Sequence, residues 1–210
     1  IGQAIALTLI KHGFLKENIY VSYHGNQKTY NKLLKKGLAD CVLSNRQIFI
    51  KADVVFITIH PQDIVCLREV PLSQNVQVIS CIAGLSTEVL KRIFGKNVTR
   101  IMISGPDSLF EENSIAAMCP YNFSADYILK EMGISIISIN NEKELDAFTV
   151  GVCLPVILLS YINKKDTKDV EYAVEKLESF YPWFLKVYLW SKKVIPVFSS
   201  EAETKEYVFN

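Results

Sequence analysis

The chain opens on a helical pattern. Ile1, Ile5, Leu9 and Ile10 fall on one face, and Gly13 supplies the stop. Ile19-Tyr20-Val21-Ser22-Tyr23 is rich in β-formers and predicts a strand, followed by a turn at His24-Gly25-Asn26 and a helix over 28–36 that ends at Gly37. Ser44 or Asn45 caps a short helix running to Lys51. The stretch 53–59, DVVFITI, is almost continuously apolar, as a parallel strand covered on both faces must be. Pro61 suits the first turn of a helix over 62–70. A strand over 76–83 follows, then a helix over 87–94 with Ser86 as its cap and Gly95 as its stop. Short apolar runs at 100–104, 115–119 and 134–139, with a helical pattern at 123–132 between the last two, complete the series.

Strands alternating with helices from 19 to 139 predict an α/β fold, a Rossmann-like and mostly parallel open sheet over residues 1–140. Past Asn140-Asn141 only helical patterns remain, at 142–163, at 166–192 with an interruption at Pro182, and at 199–207. Residues 141–210 therefore read as a small all-helical domain. Phe148, Leu154, Leu158, Phe180, Trp183, Phe184 and Trp190 make it too apolar to bury itself alone, so it predicts a homodimer through these helices.

Composition narrows the function classes. Lys and Arg number 23 against 22 Asp and Glu in 210 residues, so no charge surplus points to nucleic acid or to a membrane surface. The longest nearly apolar run, 147–162, is 16 residues and carries Thr149, Pro155 and Ser160, where a membrane span needs about 20. The five cysteines stand at least 15 residues apart, which excludes a CxxC metal or redox clip. Their odd number and apolar neighbours predict reduced thiols in a cytoplasmic protein. His12, His24 and His60 lack metal-ligand spacing, and no metal site is expected.

In open α/β sheets ligands bind outside the carboxyl ends of the strands. The segments that fall there are the start of the first helix, 22–26, 59–62 and 82–85. Gly2 stands where the last glycine of a G-x-G-x-x-G run would open a helix towards a pyrophosphate. The turn after the second strand carries no Asp or Glu to hold a ribose hydroxyl; Ser22, His24, Asn26 and Lys28 can instead hold a 2′-phosphate, which predicts NADP over NAD. His60, between strand and Pro61, lies on the cofactor's path.

Three segments carry a family resemblance: GQAIA at 2–6, DVVFITIHPQD at 53–63 and ISCIAGLS at 79–86. In order and spacing they resemble pyrroline-5-carboxylate reductase, over roughly 1–149. The resemblance implies a Rossmann domain for NADPH or NADH, a helical dimerisation domain, and hydride transfer to a small cyclic imine in proline biosynthesis. It implies that Gly2 and Gln3 approach the pyrophosphate and that residues from Ser22 through Tyr23 and His24 to Asn26 meet the adenosine ribose. It places Ile59, His60 and Pro61 along the nicotinamide half, with Ala83 and Gly84 beside it. Met102, Ser104 and Gly105 stand in the family's substrate loop.

The chain departs from the family at His60, where the family has Lys, and at Ser104 and Gly105, where it has Asn and Thr. The family's polar S-G-S-G-P-A turn, which binds the substrate carboxylate, is replaced by the apolar VGVCLP of 150–155. Thr149 is the candidate donor of a proton or hydrogen bond to substrate, although a threonine within a helix usually bonds its own backbone. Three readings follow: a reductase of this class, a non-catalytic dinucleotide-binding relative with a regulatory or interaction role, and one of the deazaflavin-dependent NADP reductases that share the amino-terminal domain. In a Rossmann sheet the first strand lies centrally, so a further apolar strand and a Gly-rich turn are expected before Ile1.

Overall fold

The computed structural model describes residues 1–105, 109, 110, 112, 114–148 and 167–194. The chain divides into two compact units, Ile1–Glu142 and Lys143–Asn210.

The first unit is built on a sheet of β1 (Val54–Ile57), β2 (Gln77–Ser80), β3 (Val98–Ile103), β4 (Ile115–Cys119) and β5 (Ser135–Ser138), in that spatial order. All neighbouring pairs are parallel except β3 and β4, which run antiparallel with Ile101 opposite Met118. The mostly parallel α/β fold expected from the alternation is thus the observed one. Both faces of the sheet are covered, which is why the strand sequences are apolar almost without interruption. One face carries α1 (Gly2–Lys11) and α5 (Phe123–Glu131), whose Ala4, Ile5, Ala125 and Leu129 pack on Ile79, Ile101 and Met118. The other carries α3 (Asn45–Lys51) and α4 (Thr87–Phe94), with Phe49, Leu90 and Phe94 against Val55, Ile57 and Val78. The helix α2 (Gln27–Lys35) buries Leu33 in a smaller cluster with Ala6, Ile19, Leu38 and Cys41.

Helix ends follow the local chemistry. Ser44 and Gln47 form a capping box at α3, Ser86 caps α4 by accepting from the Val89 N–H, and Asn122 caps α5 by accepting from the Ala125 N–H. Gly95 ends α4 in the left-handed region at φ 66°, where a side chain would be strained.

Two expected elements differ. The segment 19–23 is not a strand of the sheet; it makes a single parallel bridge, Val21 to Val42, through Val21 N–H to Cys41 O and Leu43 N–H to Val21 O. Its β-forming residues set an extended course, but a strand also needs a partner along its length. The helix expected over 62–70 is a 3₁₀ helix, Pro61–Leu67. Its buried residues Ile64 and Leu67 are three apart, which matches three residues per turn and leaves too short an apolar stripe for an α-helix.

The described part of the second unit is helical over 143–148, in α6 (Thr167–Phe180) and in α7 (Phe184–Val194). The chain breaks at Tyr181-Pro182-Trp183, as Pro182 dictates. Trp183 packs its ring against Phe148 at 5.3 Å and Phe184 at 6.2 Å, and Val187 and Tyr188 are buried. Tyr172, Phe180 and Leu189 are exposed.

Candidate functional site

A parallel sheet with helices returning over it leaves strand ends and helix starts on one rim. Here β1 ends at Ile57 and continues through Thr58, Ile59 and His60, while α1 begins at Gly2 beside it. A cleft of about 960 Å3 is lined at this rim by Gly2, Gln3, Ser22, Tyr23, His24, Thr58, Ile59 and His60. Seven of the sequence-derived cofactor residues are therefore brought together, from three segments far apart in the chain.

Gly2 shows why the arrangement needs its residue type. A Cβ at Gly2 would collide with Thr58 Oγ1 and lie 3.4 Å from Thr58 Cβ. With the Thr58 hydroxyl in this position, glycine is what lets α1 start so close to the end of β1, as the third glycine of a dinucleotide-binding turn does for helix–strand packing. Thr58 was not singled out from the sequence; its place at the end of an apolar strand beside a helix-opening glycine was the available signal. Gly2→Ala should cost about 1–2 kcal/mol by forcing this contact apart. Urea denaturation of Gly2→Ala, Thr58→Ala and the double variant tests it: the alanine at position 2 should cost almost nothing once the Thr58 hydroxyl is gone. An equal cost in both backgrounds would reject the contact as the reason for glycine.

The start of α1 has no side-chain cap, and its first internal hydrogen bond runs from Ile5 N–H to Ile1 O. The N–H groups of Gly2, Gln3 and Ala4 thus have no acceptor within the helix, and they stand at the positive end of its dipole. At the second strand position, Ser22 and His24 are exposed, and the helix α2 starts just beyond with no acidic residue in its first turn. Asn26 is its N-cap: Oδ1 accepts from the Lys28 N–H at 2.8 Å and from the Thr29 N–H at 3.3 Å. That engages the Asn26 oxygen and leaves its amide nitrogen, the Lys28 ammonium and Ser22 Oγ as donors. Tyr23 packs against Tyr30 with ring centroids 5.8 Å apart and ring planes tilted by 32°.

The remaining candidates are placed differently. Pro61 is exposed and opens the 3₁₀ helix, and His60 precedes it with no capping bond from its imidazole. Ala83 and Gly84 are exposed in the turn after β2, where Gly84 takes φ 77°. They sit at the carboxyl end of the strand paired with β1, as expected, though they do not line the cleft. Met102 and Ser104 are buried, and Ser104 Oγ accepts from the Ile115 N–H at 3.0 Å, which ties the end of β3 to β4. Gly105 is exposed. Thr149 and the 150–155 segment lie outside the described residues.

Sequence reasoning missed one polar cluster. Arg100, in β3, is 1 % exposed and donates from Nη1 to Glu142 Oε1 at 2.7 Å. Thr87, the first residue of α4, donates its N–H to Oε1 at 2.6 Å and its hydroxyl to Oε2 at 2.7 Å. Partial burial works against the charged carboxylate, but the bonds from Arg100 and Thr87 and the Arg100 charge prevail and hold the Glu142 pKa below its ordinary 4.5. A lone charge within the apolar run VTRIMI was the signal that a partner had to exist.

Among the described residues no group of three or more His, Cys, Asp or Glu is arranged to hold a metal, and no helix is long and apolar enough to cross a membrane. Cys41, Cys66 and Cys81 are free thiols, and burial pushes the Cys81 thiol up to about 12.

Comparison with known proteins places this geometry. Residues 1–84 match the family model described as NADP oxidoreductase coenzyme F420-dependent. No curated protein sequence matches the chain significantly. A pyrroline-5-carboxylate reductase from Coxiella burnetii superposes with a TM-score of 0.57 at 16 % identity, covering 99 % of this chain and 80 % of that one. Prephenate dehydrogenase from Aquifex aeolicus, solved with hydroxyphenyl propionate and NAD+, gives 0.55 at 15 %, over 98 % and 83 %. The Plasmodium falciparum pyrroline carboxylate reductase with NADP bound gives 0.56 at 13 %, over 98 % and 84 %. The resemblance to pyrroline-5-carboxylate reductases read from the sequence thus recurs in the fold, which solved pyrroline-5-carboxylate reductases and a prephenate dehydrogenase share.

Proposed function

We propose that this chain, which shares its fold with nicotinamide-dependent oxidoreductases, is an NADPH-dependent reductase of a small imine or carbonyl compound, with a cyclic imine of the pyrroline-5-carboxylate type as first candidate. The observation that carries the proposal is the convergence of Gly2, Gln3, Ser22–His24 and Thr58–His60 on one cleft at the carboxyl rim of the sheet. The match of residues 1–84 to an NADP oxidoreductase family and the NADP in one structural neighbour support the same reading.

The residues fit a dinucleotide. The close approach that Gly2 permits keeps the uncapped start of α1 at the strand ends, where its free N–H groups can donate to a pyrophosphate oxygen. Ser22, the Asn26 amide nitrogen and Lys28 supply donors and positive charge for a 2′-phosphate, and no carboxylate in 22–28 opposes it. Ile59 and His60 line the same cleft and would flank the nicotinamide. The bound cofactor supplies the hydride, so the protein is asked chiefly to hold, orient and exclude water. The apolar residues around the cleft, among them Ile1, Ile57 and Ile59, suit the last task.

Loss of the polar turn at 150–155 favours a second reading, a dinucleotide-binding relative that has given up reduction. The two separate in one assay. With pyrroline-5-carboxylate as substrate, the reductase reading expects NADPH oxidation above background and loss of 340 nm absorbance in step with imine. Tight NADPH binding without turnover, on this imine and on a panel of small imines and carbonyl compounds, would establish the second reading instead.

A further inference from the structure

Charge is unevenly placed on this chain. Residues 27–36 carry four lysines, Lys28, Lys32, Lys35 and Lys36, and no Asp or Glu. The whole chain has a net charge of +1, so the other 200 residues sum to −3. All four lysines are exposed, and among the described residues none forms an ion pair. Asp40, just after α2, is taken by Lys16 at 3.2 Å. Lys36 Nζ lies 5.7 Å over the Phe110 ring, a contact that leaves its charge uncancelled, and Glu112 in the same segment as Phe110 is taken by Lys11 at 2.6 Å. The α2 residues that line the cleft are Thr29 and Leu33, followed by Lys36 at the helix end. One position before each stand Lys28, Lys32 and Lys35, a single stripe at i, i+4 and i+7 that flanks the cleft-facing row. It starts in the first turn of α2, beside the donors offered to a 2′-phosphate, and its outer members stand about 6 and 10 Å further along the axis. The Debye length is about 10 Å at 0.1 M salt and longer below that, so all three charges act on one incoming ligand.

We propose that this stripe is a steering surface for the dinucleotide: Lys32 and Lys35, without touching the bound cofactor, raise the rate at which it reaches the cleft, and raise it more for NADPH than for NADH. The proposal rests on the reductase reading above. NADPH brings about two charges on its pyrophosphate and close to two more on its 2′-phosphate, and NADH only the first pair. The electrostatic part of an encounter scales with the product of the charges, so the lysines act about twice as strongly on the logarithm of the NADPH rate. The remainder of the chain, at −3, repels both cofactors on average, which makes the stripe the favoured approach. The donors at the start of α2 set how long the phosphate stays, and the outer lysines set how often it arrives. Part of the preference for NADPH is therefore kinetic and fades as salt rises.

Stopped-flow titration of nicotinamide fluorescence tests this without any substrate and reads association and dissociation separately. The wild-type protein is compared with Lys32→Gln/Lys35→Gln and with Lys32→Glu/Lys35→Glu. Gln and Glu are helix formers like Lys, and both positions are exposed and unpaired, so Tm should hold. At about 20 mM ionic strength the NADPH association rate should fall about fourfold with Gln and about tenfold or more with Glu. For NADH the falls should be about twofold and about threefold, with dissociation rates for both cofactors within about 1.5-fold of wild type. At about 0.5 M salt the three proteins should converge. An unchanged NADPH association rate, or a loss carried by dissociation, overturns the steering role and leaves the cofactor assignment standing. Equal losses for NADPH and NADH overturn the selectivity. No saturable signal from either dinucleotide with the wild-type protein overturns the cofactor assignment, and the steering with it.

Discussion

Glu142→Ala should lower stability by about 2–3 kcal/mol, which for a chain of this size is a fall in Tm of roughly 5–10 °C. The residue stands at the end of the first unit, 42 positions from Arg100, yet holds three donors at 2.6–2.7 Å. Removing it leaves the guanidinium 1 % exposed without this carboxylate and frees the first N–H of α4. Breaking a buried ion pair costs about 3–5 kcal/mol. Glu142 itself is 27 % exposed, so water can reach the vacated side and the lower figure applies. Glu142→Gln keeps acceptor and shape but loses the charge, and should fall between. Because folding lowers this carboxyl's pKa, its contribution is present above the unfolded value and is lost as pH falls below about 4.5. The acid limb of a stability–pH curve should therefore be shallower in Glu142→Gln. A Glu142→Ala change under 0.5 kcal/mol would show that the cluster does not hold α4 to β3.

The second large effect concerns the cofactor. Ser22→Asp should reverse a preference for NADPH over NADH. The wild-type turn offers Ser22, the Asn26 amide and Lys28 to a phosphate carrying close to two charges. Two bonds of about 1.5 kcal/mol each amount to roughly a hundredfold in affinity. No Arg lies in the turn to clamp the phosphate, so the measured ratio should fall between about ten and a hundred. An aspartate at 22 accepts the ribose hydroxyls and repels the phosphate, and being exposed it should leave Tm within about 1 °C. Titration with both dinucleotides gives the ratio directly. An unchanged ratio would mean that the ribose does not reach Ser22.

What could be read from the sequence was local. Ser86 and Gly95 bracket α4 and Ser44 starts α3, because caps act within four residues. The β1 to Gly2 relation was half legible: the glycine announced a close approach, but only the fold shows that Thr58 is what it approaches. Segment 19–23 misled because strand propensity says nothing about whether a partner runs alongside. The Arg100–Glu142–Thr87 cluster was out of reach for the same reason, since three residues from three elements meet only after the sheet forms. Among the candidate site residues, those on the rim came together because parallel strands end on one side, whereas Met102 and Ser104 were drawn into the sheet by the antiparallel pairing of β3 with β4.

A nicotinamide dinucleotide should bind at the carboxyl rim of this sheet. Residue-resolved amide mapping of the protein, by NMR or by hydrogen exchange, with and without NADPH tests it most directly. Perturbation should concentrate at Gly2, Gln3, Ser22–His24 and Thr58–His60 and saturate at micromolar NADPH. No saturable change at millimolar NADPH or NADH, or changes confined to the amino-terminal ends of β1 and β2, would contradict the account.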